Sequence, residues 1–411
     1  MSKDFSFEIT ARDKSGKFPL MRTGVINTPN GSIKTPAFIV VGTHSKVKFL
    51  SPEILRKIGV QVILSNGYHL LRRATMIDAA GGLAKFNNWH GPTFTDSGGF
   101  QVMSLGSGLG KIVSMDKKDE MVLERKTRKE DRLALVDDEG VEFRDPYSSR
   151  IVKFTPEMSI ATQHKIGADA MMAFDELTNI SDSYEYNVES LERTRKWAER
   201  SLREHIRQTN MRKDKNYQAL YGVLQGGHWQ DLREKAARDL AAMSVDGAEF
   251  DGFGLGGAFE KENLGKTLSW MAKILPENKP RHLLGLSKPD DIFAGVENGC
   301  DTFDCVAPTR EARHGKIYTL DGDINLRRAE FAQDFSPLDI NCGCPTCREN
   351  YSRSVLREML KSQEQEIRAQ AFSLLSAHNV RFIIRLTEQI RDSIIDGSFV
   401  EFRDEFMKKY Y

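Results

Sequence analysis

Cysteine is scarce in this chain of 411 residues, which has five: Cys300, Cys305, Cys342, Cys344 and Cys347. An odd number, with three inside six positions, argues against a disulfide framework and suits a reducing compartment. Net charge is lacking too. Lys and Arg number 59 and Asp and Glu 58, for a formal charge of +1. The global basicity of many nucleic-acid binders is therefore absent, and any RNA contact has to come from local clusters. No run approaches the roughly 18–20 apolar residues of a membrane helix. The opening segment Met1–Thr10 has no apolar core behind a basic end. These absences make a cytoplasmic protein with no membrane partner the expectation. No Walker-type phosphate loop occurs, so ATP is not implied.

What is present is ordinary globular material, 40% hydrophobic and 28% charged. A short apolar run, then polar or glycine residues, then an amphipathic helix recurs at Val60–Tyr68, Ala168–Glu176, Ala219–Gly227, Phe250–Gly257, His282–Ser287 and Cys300–Val306. Alternating strand and helix patterns call for a parallel sheet. Six or more such strands predict an α/β fold, a (β/α)8 TIM barrel, with a doubly wound open sheet as the alternative. A turn is expected at Asn30-Gly31, and helices after the Ser51-Pro52-Glu53 cap and from Lys288-Pro289 to Val296. Residues 113–138 are densely charged and read as a surface insertion in a barrel domain spanning 1–334. Residues 335–411 read as a zinc-binding helical subdomain, with Val355, Leu356, Met359 and Leu360 on one face and a long helix near Ile367–Ile395.

Cys342-Gly343-Cys344-Pro345-Thr346-Cys347 offers three thiolates on a tight turn, three corners of a tetrahedron. His378, flanked at helical spacing by Leu374, Leu375 and Phe382, is the candidate for the fourth. Cys300 and Cys305, in a strand-like run, are poorer candidates. Four protein ligands close the sphere, so one structural Zn²⁺ per chain is expected.

Carboxylates recur where apolar strands end: Asp96 before Ser97-Gly98-Gly99-Phe100, Asp175 before Glu176, and Asp304 before Cys305. Barrel enzymes collect catalytic groups at such ends. Glycines there, as in Gln225-Gly226-Gly227 and Gly254-Leu255-Gly256-Gly257, let a flat ligand approach the backbone. Two aspartates facing one cavity can divide nucleophilic and acid/base work at a sugar carbon, and a third carboxylate with a glutamine can bind a guanine-like edge. Asp301 is the runner-up nucleophile, although strand alternation sets it opposite Asp304.

These strings, with Ser65-Asn66-Gly67-Tyr68-His69-Leu70, Thr95–Gln101, Phe174-Asp175-Glu176, Leu224–Gly227, Asp304–Arg310 and Ala377-His378-Asn379, resemble the tRNA-guanine transglycosylase family from about Phe7 to the C-terminus. The resemblance implies a barrel with a zinc-binding insertion, usually a homodimer. It also implies a double displacement that exchanges the wobble guanine of tRNAs with GUN anticodons (Asp, Asn, His and Tyr acceptors) for a 7-deazaguanine base. On that basis Asp304 is the nucleophile and Asp96 the base. Asp175, Gln225, Gly256 and Gly257 bind the base edge, while Asn66, Ser97, Gly98 and Gly99 shape the pocket. Phe100 and Leu284 sandwich the ring. Gly285, Leu286, Ser287, Lys288, Pro289, Asp290 and Asp291 form one RNA-contact loop. Thr309, Arg310, Glu311, Ala312 and Arg313 form the anticodon-reading strip.

Two departures from the common bacterial pattern, Leu177 after Asp175-Glu176 and Ala258-Phe259-Glu260 after the paired glycines, leave the physiological base open between 7-aminomethyl-7-deazaguanine and queuine. No further archaeal-type RNA-binding domain is expected after Tyr411. A non-catalytic partner subunit and a deazapurine-inserting enzyme acting on DNA are the competing readings. The retained aspartates argue against the first, and the Thr309–Arg313 strip against the second.

Overall fold

Eight short strands close on themselves: β1 Ala37–Val41, β2 Ile63–Asn66, β3 Thr93–Asp96, β4 Ala170–Met172, β5 Ala219–Leu224, β6 Gly252–Leu255, β7 Arg281–Leu283 and β8 Thr302–Cys305. Every neighbouring pair is parallel, and β8 returns to β1 with Phe303 opposite Phe38. This is the (β/α)8 barrel expected from the recurring runs, and closure of the ring excludes the open sheet. The computed structural model describes residues 5–106, 134–145, 149–212 and 214–411. Residues 113–133 of the charged segment lie outside the described residues.

The strands form because both their faces are buried, so their sequences read as apolar runs. Alternation assigns Ile39, Leu64, Phe94, Met172, Tyr221 and Val223 to one core cluster and Phe38, Val40 and Ile63 to another, larger one. That larger cluster takes in residues of the surrounding helices, among them Leu232, Leu268 and Ile292. Helix starts follow local chemistry. The Ser51 side chain accepts the Ile54 N–H at 3.2 Å to begin Pro52–Lys57, and Thr155 caps Pro156–Ile166 through Met158. Helix Pro289–Glu297 carries its proline in the first turn.

A three-stranded antiparallel sheet of Ser6–Arg12, Arg22–Thr28 and Gly31–Thr35 precedes β1. Its second hairpin turns through Pro29-Asn30, one residue earlier than expected, because Gly31 already pairs with Thr28. From this sheet Arg22 reaches Asp301, donating from Nε at 3.0 Å and Nη2 at 2.7 Å, with both side chains fully buried. Asp301 also accepts the Arg281 N–H at 2.7 Å. That pairing commits Asp301 to holding the barrel together, and Asp304 remains the nucleophile candidate of the strand.

Residues Ala134–Asp137, Gly140–Arg144 and Ile151–Phe154 form a second antiparallel sheet, so the end of the charged segment is ordered β-structure. At the C-terminus, helices Arg353–Lys361, Gln365–Asp396 and Phe399–Tyr410 follow the cysteine turn. The long helix packs against helix Ala307–His314 and against β1. In Arg353–Lys361, Leu356 and Leu360 are buried, but Val355 is 46% exposed, so the expected apolar face is narrower. No described helix is long and apolar enough to cross a membrane.

Candidate active site and metal centre

The strand order brings the C-terminal ends of β2, β3, β5, β6, β7 and β8 to one mouth of the barrel, and with them Asn66, Asp96, Gln225, Gly256, Leu284 and Asp304. Asp96 closes β3. Its Oδ1 accepts the N–H groups of Gly67 at 2.9 Å and Gly98 at 3.1 Å, and its Oδ2 accepts Asn66 Nδ2 at 2.7 Å. Burial pushes this carboxyl up to about 7 despite three bonds that favour its ionised form, and the charge of Asp304 adds to the rise. The chain can pass this closely only as glycine: a Cβ on Gly67 would lie 2.6 Å from the Asp96 carbonyl oxygen.

Asp175 follows β4. Its Oδ2 accepts Gln225 Nε2 at 2.7 Å and its Oδ1 accepts the Ser97 hydroxyl at 3.3 Å, while burial raises it to about 6. Ser97 therefore joins the surroundings of Asp96 to Asp175. Gly99 sits against Asp175, where a Cβ would stand 3.0 Å from its carbonyl oxygen. Leu284 lines the wall beside Gly254 and Gly256, and Phe100 opens helix Gly99–Gly106 with 41% of its surface exposed.

Asp304 is buried on β8, and its Oδ1 accepts the Gly285 N–H at 3.0 Å. Beneath it lies His282, which the sequence reading passed over. The ring is fully buried, Nδ1 is 2.9 Å from Thr302 Oγ1, and Nε2 is 3.2 Å from Asp304 Oδ1 but off the line of a good hydrogen bond. Arg233 was also missed. It is a fully buried guanidinium on helix Gln230–Ala241 that donates to the Gly227 carbonyl at 2.7 Å and the Gly256 carbonyl at 2.5 Å. Both carried a signal: a lone imidazole in an apolar strand run, and a charge on the same helix face as Ala236, Ala237 and Leu240.

The expected RNA-contact residues divide by exposure. Arg310 and Lys288 are exposed, and Arg313 is half-buried and donates to the Thr309 carbonyl at 2.7 Å. Ala312 is fully buried, Ser287, Pro289, Asp291 and Thr309 are buried, and Leu286 packs on the core. Glu311 accepts the Tyr318 hydroxyl at 2.9 Å, and Asp290 accepts that of Tyr411 at 2.8 Å. Burial raises Asp291 to about 6.

Away from the mouth, Cys342, Cys344, Cys347 and His378 are all buried, and their ligand atoms lie within 4.8 Å of one another. His378 Nδ1 is 3.7 Å from Cys344 Sγ and 3.3 Å from Cys347 Sγ. Its Nε2 is 2.9 Å from the Tyr318 carbonyl, to which it donates, and that tautomer leaves Nδ1 bare toward the thiols. Three sulfurs and one imidazole nitrogen at these separations suit a tetrahedral ion with bonds of about 2.0–2.3 Å. Cys300 and Cys305 lie apart, on and beside β8.

The sequence profile of the family described as "Queuine tRNA-ribosyltransferase" matches residues 19–411. A protein of that name from Desulforamulus reducens is 40% identical over 403 residues, covering 97% of each chain. One from Geobacillus kaustophilus is 40% identical over 391 residues, covering 95% of this chain and 93% of its own. One from Thermoanaerobacter pseudethanolicus is 41% identical over 392 residues, covering 95% and 94%. With the closed barrel, the carboxylates at its mouth and the cysteine–histidine cluster, the chain belongs to the queuine tRNA-ribosyltransferase family of pentosyl-transferring enzymes.

Proposed function

We propose that the chain exchanges guanine at wobble position 34 of tRNAs with GUN anticodons, those for Asp, Asn, His and Tyr, for a 7-deazaguanine base, through a covalent bond between Asp304 and the tRNA. The observation that carries this reading is the meeting of Asp96 and Asp304 at one barrel mouth, with Asp96 raised to about 7 partly by the charge of Asp304.

The steps follow from these groups. A carboxylate oxygen of Asp304 bonds to C1′ of the ribose as the C1′–N9 bond breaks, and that electron pair leaves on the purine. The purine takes a proton from Asp96. The incoming base then gives its ring N–H proton to Asp96, and its freed nitrogen attacks C1′ and releases Asp304. A carboxyl poised near neutrality is suited to both transfers. Asp175 and Gln225 already hydrogen-bond each other, offering an acceptor and an amide to a guanine-like edge. Leu284 and Phe100 serve as its two faces, and Asn66, Ser97, Gly98 and Gly99 as the wall. The Gly285–Asp291 loop and the Thr309–Arg313 strip, with Arg310 and Lys288 outermost, receive the anticodon. ATP takes no part.

Cys342, Cys344, Cys347 and His378 hold Zn²⁺ in this reading. With four protein ligands the ion supplies structural cross-linking and no reactive water. The division at residue 334 separates the barrel from this zinc-bearing part. Exposed Phe335 (76%) and Ile340 (87%), both on the zinc-bearing part, support a homodimer, because a second copy would cover them. The base itself, 7-aminomethyl-7-deazaguanine or queuine, is chosen by the Ala258-Phe259-Glu260 segment.

Release of radiolabelled guanine from an unmodified GUN tRNA, with each base offered separately, tests the reading. Release with one base establishes the exchange and the preference. Release unchanged in Asp304→Asn would refute the covalent route.

A further inference from the structure

Arg233 has no carboxylate within ion-pair reach among the described residues, although its guanidinium is fully buried. Desolvation alone draws it down to about 9, so it keeps its charge near neutral pH. A buried cation without a counter-ion is costly to the fold. Its surroundings explain what it does instead. Nε and Nη1 donate to the carbonyls of Gly227 and Gly256, the guanidinium lies over the Phe259 ring at 4.7 Å, and Nη2 is buried without a partner. Nη2 lies so close behind Gly257 (φ +105°) that a Cβ there would be 2.6 Å away.

The Gly256 carbonyl and the Gly257 N–H belong to one peptide unit, and a trans peptide points them in opposite directions. The Gly256 N–H is already spent on the Leu224 carbonyl at 3.0 Å in the barrel ladder. The Gly257 N–H is therefore the donor left for the pocket side, where Gly256 borders Leu284 and Gln225. A cation bonded to the carbonyl polarises the whole unit and makes the N–H at its other end a stronger donor.

We infer that Arg233 is a positioning residue for the base exchange, which clamps the Gly256–Gly257 peptide and polarises it so that the Gly257 N–H stabilises the negative charge gathering on the purine as the C1′–N9 bond breaks. This rests on the exchange reading above. A preset dipole with a cation behind it does so without reorganising during the reaction. The Phe259 ring beneath the guanidinium ties the same clamp to the segment that departs from the bacterial pattern.

The test compares two leaving bases, guanine and the more acidic 8-azaguanine, each at the exchanged position of an otherwise identical tRNA. A more acidic base carries the departing charge more easily and needs less help. Arg233→Met is expected to bind tRNA within about twofold of the unaltered enzyme, but to slow guanine loss on the order of 100-fold. Loss of 8-azaguanine should slow by less than about fivefold. Arg233→Lys, which restores the charge, should recover much of the guanine rate, and it carries the comparison if Arg233→Met does not fold. Equal slowing of both bases, or none, overturns the inference while the exchange reading stands. An unaltered enzyme that releases neither base overturns the exchange reading itself.

Discussion

Asn66 is held at both ends, its Nδ2 donating to Asp96 Oδ2 at 2.7 Å and its Oδ1 accepting the His69 N–H at 2.9 Å. The amide cannot turn without uncapping the helix Gly67–Leu70, so its donor stays on the carboxylate. Because that bond favours ionised Asp96, Asn66→Ala should move the carboxyl further above about 7. Taking the incoming base's ring proton needs ionised Asp96, so this second half of the exchange falls as pH drops through that value. The variant's profile should be displaced to higher pH, with roughly tenfold less activity at pH 7 and partial recovery at pH 8.5. A pH–rate profile checks it, and an unmoved acid limb would remove Asp96 from the role of base.

Asp175 titrates separately, at about 6. Protonation costs it one acceptor for the base edge, so KM for the base should rise as pH falls through 6. The kcat should follow the higher limb set by Asp96. In Asp175→Asn the KM should be high at every pH, by roughly 10–100-fold, and its dependence near pH 6 should vanish.

Asp304 on β8 and Asp301 just ahead of it should fail in different ways. Asp301→Asn leaves Arg22 buried and unpaired and should cost about 3–5 kcal/mol, seen as a lower Tm with little loss of activity per folded molecule. Asp304→Asn should melt near the unaltered temperature, because the bond its side chain accepts from the Gly285 N–H can be kept by the Asn carbonyl, and should release no guanine.

Metal removal is a test of stability. Chelation, or Cys347→Ser, should release one zinc per chain and lower the Tm by about 10 °C, since losing on the order of 10 kcal/mol of metal binding shifts a chain of this size that far. Zinc content by elemental analysis and a thermal melt decide it. Loss of activity with an unchanged Tm would point away from a structural ion.

Arg310→Ala should raise KM for tRNA and reduce the slope of log affinity against log salt by about one. The residue is exposed and its guanidinium stands near that of Arg313. Changing Ala312, which is fully buried, should perturb folding before it perturbs recognition.

Much of this was legible in the chain itself, because barrel strands are buried on both faces and so appear as bare apolar runs ending in chemistry. The runs beginning at Val60, Ala168, Ala219, Phe250 and Cys300 each contain a strand of the barrel, and the run from His282 overlaps the strand Arg281–Leu283. The cysteine turn with His378 was readable for a similar reason, since few residue types bind metal and their spacing is short. Arg233 was not, because a charge in a helix normally means a solvated face, and only the third dimension shows the Gly256 carbonyl behind it. His282 escaped because hydrogen-bond partners across strands are set by register, which no local pattern states. Val355 shows the reverse error: an apolar residue at helical spacing that is nonetheless largely exposed, since spacing alone does not say how wide a face the neighbours cover.

The ring of strands closes between β8 and β1, and the ion pair that braces this junction joins residues 279 positions apart. Contacts of such range form late, after the loop between them has been ordered. A ribosome emitting this chain therefore releases Asp96, Asp175 and Gln225 long before Asp304 can join them. The long helix Gln365–Asp396, which bonds through Arg391 to the Lys34 and Pro36 carbonyls ahead of β1, emerges later still. A nascent chain that has not yet released this helix therefore lacks the Arg391 bonds ahead of β1, the strand that pairs with β8 and so with Asp304.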